Sequence, residues 1–140
     1  MAEPSKKARK AFIEKRASGC CEYCLSQSRF SPDPFTIEHI FPRSKGGNDD
    51  YSNLALACQG CNNRKYNFTE AMDPVTGTMV PLFHPRQDPW ANHFRWNDDC
   101  SRILGISPEG RATIDKLGLN RPGLVNLRKV LYLAGEHPPA

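Results

Sequence analysis

Two Cys-x-x-Cys pairs are the feature that most restricts how this chain can fold. Cys21 and Cys24 form the first pair, Cys58 and Cys61 form the second, and 33 residues (25–57) separate them. Four thiolates with this spacing can close a tetrahedral zinc site. Because one metal ion would hold both pairs, the intervening chain must leave the site and return to it. The sequence therefore predicts a structural zinc site at the base of a long, functionally useful loop.

Two cysteines remain outside this assignment, Cys20 and Cys100. Cys20 lies four positions before Cys24, which is a less usual ligand spacing, so Cys21 is preferred as the zinc ligand. Six cysteines could instead form a secreted disulfide framework. The charged N-terminal segment lacks the apolar stretch of a signal peptide, and reduced thiols bind metal more readily than they pair. We therefore expect a cytoplasmic protein with a zinc site.

The charge of the chain is concentrated at one end. The net charge is +4, and residues 1–19 hold six basic and two acidic residues, which already gives +4. The remaining 13 basic and 13 acidic residues cancel. A basic arm on a neutral body indicates a polyanionic partner, although a solvated helix face that aids solubility is the alternative. No apolar stretch approaches the ~20 residues of a membrane span, so we expect no membrane partner.

Local patterns predict an α+β fold in one domain of 140 residues. We expect a basic helix or arm in 1–19, a metal-binding core in 20–68 and an extension in 69–140 that packs on the core. The core is predicted to contain a strand in 35–40, a short strand in 54–57 and a helix in 59–68. The remaining predicted elements are a helix over 5–18, a strand over 78–83, a β-hairpin over 94–106 and two helices over 108–117 and 121–131.

Residues between the cysteine pairs and directly after the second pair are suited to phosphodiester hydrolysis. His39 can accept the proton of an attacking water, because imidazole titrates close to neutral pH. Glu38 and Asn62 offer hard oxygen ligands for a divalent cation such as Mg²⁺ or Mn²⁺. Neighbouring residues of a strand point to opposite faces, so Glu38 and His39 should diverge unless the strand ends there.

An ordered set of motifs resembles the HNH endonuclease family. It runs Ile37-Glu38-His39-Ile40-Phe41-Pro42-Arg43-Ser44-Lys45-Gly46-Gly47, then Asn53-Leu54, then Cys58-Gln59-Gly60-Cys61-Asn62-Asn63-Arg64-Lys65. The resemblance covers about residues 20–68. It implies a ββα-metal (His-Me finger) core with structural zinc knuckles, followed here by a C-terminal β-hairpin and two helices.

The resemblance also implies roles for matching positions. His39 would be the general base, Asn53 would orient the catalytic loop, and Glu38 and Asn62 would hold the catalytic ion. Asn62 stands where the family usually has its last histidine, and Glu38 replaces the commoner aspartate; both departures favour a hard cation and leave a weakened activity open. The basic residues that could hold phosphates are Arg43, Lys45, Arg64 and Lys65.

The expected function is a metal-dependent endonuclease that hydrolyses DNA phosphodiester bonds. It would use structural Zn²⁺ and catalytic Mg²⁺ or Mn²⁺, act as a monomer rather than a dimer, and nick one strand to leave 5′-phosphate and 3′-hydroxyl ends. Two alternatives stay open. One is a zinc-containing nucleic-acid-binding module with a degenerate site. The other is a nuclease that prefers RNA or structured junctions, since phosphate contacts carry no sequence information.

Overall fold

The structure is a computed structural model that describes residues 3–140. Met1 and Ala2, the first residues of the predicted basic arm, lie outside the described residues. The part of the chain that it describes contains four α-helices and three two-stranded antiparallel sheets, so the fold is α+β as predicted. In chain order the elements are α1 (Lys6–Arg16), β1 (Thr36–His39), β2 (Leu54–Ala57), α2 (Gln59–Lys65), β3 (Glu70–Met72), β4 (Met79–Pro81), β5 (Phe94–Trp96), β6 (Ile103–Gly105), α3 (Pro108–Leu117) and α4 (Pro122–Leu133).

The hairpin of β1 and β2, followed by α2, forms the centre of the molecule. The two strands pair with Glu38 opposite Ala55 and His39 opposite Leu54. All four residues of β2 are buried, which explains their continuous apolar run. Residues of β1 alternate between its two faces, so Glu38 is buried while His39 stays partly accessible.

Helix α1 is packed against this hairpin rather than extending as a loose arm. Ser5 caps the helix, its Oγ accepting a hydrogen bond from the Ala8 N–H at 3.0 Å. Ile13 is fully buried in the core, and the helix contacts β2. The Arg16 guanidinium donates to the Tyr51 carbonyl at 2.9 Å and to the Leu54 carbonyl at 2.5 Å. These contacts make α1 part of the folded body.

Two arginines hold the C-terminal extension together. Arg111 on α3 makes a two-pronged ion pair with buried Asp73, with distances of 2.9 and 2.8 Å from Nε and Nη2. Arg128 on α4 is buried and donates to the backbone carbonyls of Leu119, Ser101 and Cys24. Because Cys24 belongs to the first cysteine pair, Arg128 joins the extension to the core.

Most predicted elements are present, with two local differences. Helix α2 ends at Lys65 rather than at residue 68, because Tyr66 adopts a positive φ of 48°. Strand β3 was not predicted, since Glu, Ala and Met favour helices in isolation. Its pairing with β4 overrides that local preference. Within residues 3–140, no helix combines the length and apolar character needed to cross a bilayer.

Replacement of Ile13 by alanine tests whether α1 belongs to the folded body. Loss of this fully buried side chain should lower the free energy of unfolding by ~2–5 kcal/mol, because a cavity remains in the core. The exposed neighbour variant Glu14→Ala should change it by less than ~0.5 kcal/mol. Urea denaturation of the zinc-loaded protein measures both, and equal stability of the two variants would mean that the helix is not anchored.

Candidate functional site

Four cysteines form the candidate metal centre. The Sγ atoms of Cys21, Cys24, Cys58 and Cys61 all lie within 4.8 Å of one another, and all four residues are buried. Cys24 and Cys58 Sγ are 3.7 Å apart. Ligands at ~2.3 Å from a tetrahedral zinc ion are ~3.8 Å from each other. The cluster therefore fits zinc, and it contains Cys21 and not Cys20.

The second cysteine pair is built into the start of α2. Cys58 is the N-cap residue of the helix, and its Sγ accepts a hydrogen bond from the Cys61 N–H at 3.4 Å. The first turn of α2 thus places the sulfur atoms of Cys58 and Cys61 on the same side of the helix N-terminus. Because Asn62 follows Cys61 directly, the metal centre also sets the position of the predicted catalytic-ion ligand.

Arg121 lies against the sulfur atoms of this pair, and no sequence motif had pointed to it. Its Nη2 is 3.5 Å from Cys58 Sγ and its Nη1 is 3.7 Å from Cys61 Sγ. Burial alone would lower the pKa of Arg121, but the neighbouring sulfur atoms, Cys61 foremost, outweigh burial and raise it. Since four thiolates on one Zn²⁺ carry a net charge of −2, this guanidinium offsets part of the buried negative charge.

A cleft of about 310 Å³ lies between the end of β1 and α2. The structure brings His39, Asn62 and Arg43 together along its wall, with Glu38 at its inner side. Among residues 3–140, the Asn62 amide makes no hydrogen bond. Four predicted site residues thus border one cleft, and they come from β1, the loop that follows it and α2.

The His39 ring is held by Asp49, which sequence reasoning missed. His39 Nε2 lies 2.7 Å from Asp49 Oδ1 and 3.1 Å from Arg43 Nε. Nε2 cannot donate to the carboxylate and accept from Arg43 at the same time. The shorter contact to a charged acceptor assigns the proton to Nε2 and leaves Nδ1 as the basic nitrogen.

Arg43 completes this arrangement by binding the same carboxylate. Its Nη2 donates to Asp49 Oδ1 at 2.8 Å. Hydrogen bonds from His39 and Arg43, in that order, lower the pKa of Asp49. The carboxylate therefore stays ionised and oriented toward the histidine. The only sequence signal was an acidic pair after Gly46-Gly47, which by itself is typical of an exposed turn.

Asn53 holds the loop that carries Asp49. Its Oδ1 accepts from the Phe41 N–H at 2.8 Å, and its Nδ2 donates to the carbonyls of Phe41 and Asn48 at 3.0 and 2.8 Å. Gly47 permits this closure, because a Cβ atom there would lie 1.8 Å from the Phe41 carbonyl oxygen. All these bonds go to backbone beside His39 and Asp49, so Asn53 sets the loop geometry.

Glu38 lies in a buried polar network. Its Oε2 accepts from the Tyr23 hydroxyl at 2.7 Å, and its Oε1 lies 2.6 Å from Lys65 Nζ. Both carboxylate oxygens therefore already have a close partner inside the core. Burial raises the pKa of Glu38, and Lys65 opposes that rise. This carboxylate is far less accessible than Asn62.

The four basic residues predicted to contact phosphates occupy different environments. Arg43 lines the cleft, and Lys45 is exposed on the adjacent loop. Arg64 lies on another side of α2, where it donates to the Gly60 carbonyl and packs over Gly118. Lys65 is 1 % exposed and donates to the Ile40 carbonyl at 2.8 Å. A phosphate contact by Lys65 does not fit this interior position, because its amine is already used within the core.

Comparison with known proteins agrees with this geometry. Residues 21–68 match the family model described as HNH endonuclease. This match spans both cysteine pairs, the β1–β2 hairpin and α2, and it covers about a third of the chain. No curated protein matches the chain.

Arg121→Ala should weaken zinc retention, since the thiolates of Cys58 and Cys61 lose the cation that lies beside them. Loss of a residue next to metal ligands typically costs ~10–100-fold in affinity. Zinc release to a chromophoric chelator would measure this. Arg102→Ala is the matched control, because Arg102 is exposed in the turn between β5 and β6, outside the metal centre. Equal zinc affinity in both variants would show that Arg121 has no effect on the metal.

Lys65→Met should destabilise the fold, because the Glu38 carboxylate would remain buried without its counter-charge. Removing one partner of a buried ion pair costs on the order of 3–5 kcal/mol. The double variant Glu38→Gln with Lys65→Met removes both charges and should recover much of that loss. Denaturant unfolding of the zinc-loaded proteins gives the coupling free energy. If the double variant were as unstable as the sum of the two single variants, the ion pair would not be the cause.

Proposed function

We propose, from the premise that residues 21–68 are an HNH endonuclease domain, that this protein is a metal-dependent endonuclease that hydrolyses DNA phosphodiester bonds. The observation that supports the proposal most strongly is the oriented His39 at the edge of a cleft that Asn62 also lines. The family implies a nucleic-acid substrate. DNA as the substrate, nicking of one strand, and 5′-phosphate and 3′-hydroxyl products belong to the proposal.

His39 would act as the general base. With the proton on Nε2 held toward Asp49, Nδ1 is free to accept a proton from the attacking water. The Asp49 carboxylate then stabilises the imidazolium that forms, in the way that an oriented acid supports a catalytic histidine. Arg43 would contact the phosphate once nucleic acid is bound, since it already reaches the cleft.

The donor atoms in the cleft suit a hard divalent cation, which we take to be Mg²⁺ or Mn²⁺. Asn62 presents an amide without a hydrogen bond among residues 3–140, while Glu38 Oε1, which lies 2.6 Å from Lys65 Nζ, would bind an ion only by sharing that contact. Mg²⁺ commonly binds through one or two protein ligands, with water and phosphate oxygens completing its shell. When bound, such an ion supplies Lewis-acid stabilisation of charge on the phosphate and on the leaving 3′-oxygen.

The zinc centre would take no part in the chemistry. The four clustered cysteine sulfur atoms would fill every position of a tetrahedral zinc ion, which would leave none for water or substrate. Its role would be to hold α2, and with it Asn62, against the hairpin that carries His39. One such motif per chain would nick one strand at a time, and a monomer would suffice.

One observation favours a second candidate, a zinc-containing nucleic-acid-binding module with a degenerate catalytic site. The Glu38 carboxylate is paired with Lys65 and Tyr23 inside the core, so it is poorly placed to bind an ion from solvent. The two candidates differ in their requirement for a divalent cation in addition to zinc. They are therefore separated by one assay.

A plasmid relaxation assay on zinc-loaded protein, with and without Mg²⁺ or Mn²⁺, tests the proposed activity. The wild-type protein should produce nicked circles only with the added cation. His39→Ala should reduce the nicking rate by at least ~100-fold, because a positioned general base contributes ~10²–10⁴-fold. Resealing of the nick by DNA ligase would verify 5′-phosphate and 3′-hydroxyl ends.

His84→Ala serves as the matched control, since this histidine lies outside the cleft. It should nick at the wild-type rate. Nicking that survives His39→Ala would remove His39 from the mechanism. A wild-type protein that shifts DNA on a gel and never nicks it would select the binding module. Preferential cleavage of a matched RNA would instead select the RNA-directed alternative.

A further inference from the structure

A second groove meets the catalytic cleft at His39. It has a volume of about 350 Å³ and lies between α1 and the β1–β2 hairpin. Ile37, His39 and Arg43 line both depressions, so the groove adjoins the cleft at these residues. The residues that line the second groove are Lys6, Arg9, Lys10, Thr36, Ile37, His39, Arg43 and Leu54.

The basic residues of the groove come from one face of α1. Lys6, Arg9, Lys10 and Ile13 follow the i, i+3, i+4, i+7 spacing that places side chains on one side of a helix. Because Ile13 is buried against the hairpin, it directs the other three toward the groove. The positive charge at this end of the chain is therefore held beside the catalytic histidine.

Two of these side chains remain available for a ligand. Lys10 is used internally, since its amine donates to the Phe35 carbonyl. Lys6 is exposed and forms no ion pair within residues 3–140. Arg9 is half-buried, and its guanidinium forms no hydrogen bond or ion pair in the same part of the chain, although its Nε is fully buried. No acidic residue lines this groove, so Lys6 and Arg9 keep their charge uncompensated there.

We propose that this groove binds the sugar–phosphate backbone of the substrate on one side of the scissile phosphodiester, with Lys6 and Arg9 contacting its phosphates. The proposal rests on the proposed function, because it takes the scissile group to lie at His39. Three residues of helix span ~4.5 Å, while phosphates of one strand rise ~3.4 Å apart along duplex DNA. Lys6 and Arg9 can therefore contact about two consecutive phosphates, and the partly exposed Ile37 of β1, which lines the groove, suits a sugar edge.

The salt dependence of binding tests the groove. One test protein carries both Lys6→Ala and Arg9→Ala, and a control protein carries both Lys7→Ala and Lys15→Ala. Both proteins also carry His39→Ala, so that the DNA stays intact. Both pairs remove two positive charges and introduce a strong helix former. Lys7 and Lys15 lie on the same helix but do not line the groove.

Affinity for a 30-base-pair duplex would be measured between 50 and 200 mM salt. Two lost phosphate contacts lower the slope of log K against log salt by ~1.8, so the loss of affinity should be about 12-fold larger at 50 mM than at 200 mM. The control pair should keep the slope of its parent. Equal slopes for the two pairs would overturn the proposal, because total charge and not the groove would then govern binding. Unchanged unfolding midpoints and zinc content exclude misfolding.

Neutral methylphosphonate linkages near a mapped nick give a second readout. On one side of the cut they should weaken binding by the parent His39→Ala protein, and they should have little further effect on the Lys6→Ala, Arg9→Ala pair. Equal effects on both sides of the cut would overturn the proposal. If the salt slope falls as expected but the wild-type protein never nicks DNA, the groove proposal stands and the nuclease proposal fails. If the wild-type protein nicks DNA but the salt slope does not change, the nuclease proposal stands and the groove proposal fails.

Discussion

The convergence of four thiolates on one point is the constraint on which the rest of the structure depends. It brings together two segments that lie 33 residues apart (25–57) and places the first turn of α2 beside the β1–β2 hairpin. A chain of this size buries only a modest apolar core, so a metal bound to the folded state contributes a large share of stability. The cleft between His39 and Asn62 exists because these two elements are held together.

Polar contacts of the interior then determine which side chains face the cleft. Asn53 closes the loop after β1 and returns Asp49 to the His39 ring. Lys65 is drawn inward by Glu38 and by the Ile40 carbonyl. These groups are buried or held by backbone, so each must be satisfied by a partner. The side-chain groups that can act in the cleft are therefore those that the interior contacts leave unused.

The C-terminal extension supports the metal centre from outside. Arg121 lies beside Cys58 and Cys61, and Arg128 binds the Cys24 carbonyl while contacting two loops of the extension. Both arginines come from the last quarter of the chain, far from any motif. Through them the extension neutralises and encloses the thiolates, which gives residues 69–140 a physical role in the core even before any contact with substrate.

The sequence alone determined which four cysteines cluster, the α+β class and the identity of most elements, because cysteine spacing, capping residues and hydrophobic periodicity are local properties. It also indicated His39, Asn53 and Asn62. Only the tertiary structure decided that Lys65 is interior, that Arg64 lies away from the cleft, that Asp49 orients His39 and that the basic helix forms a groove. Those outcomes depend on burial and on contacts between distant residues. Residue type alone does not reveal whether a lysine side chain pairs with a buried carboxylate or extends into solvent.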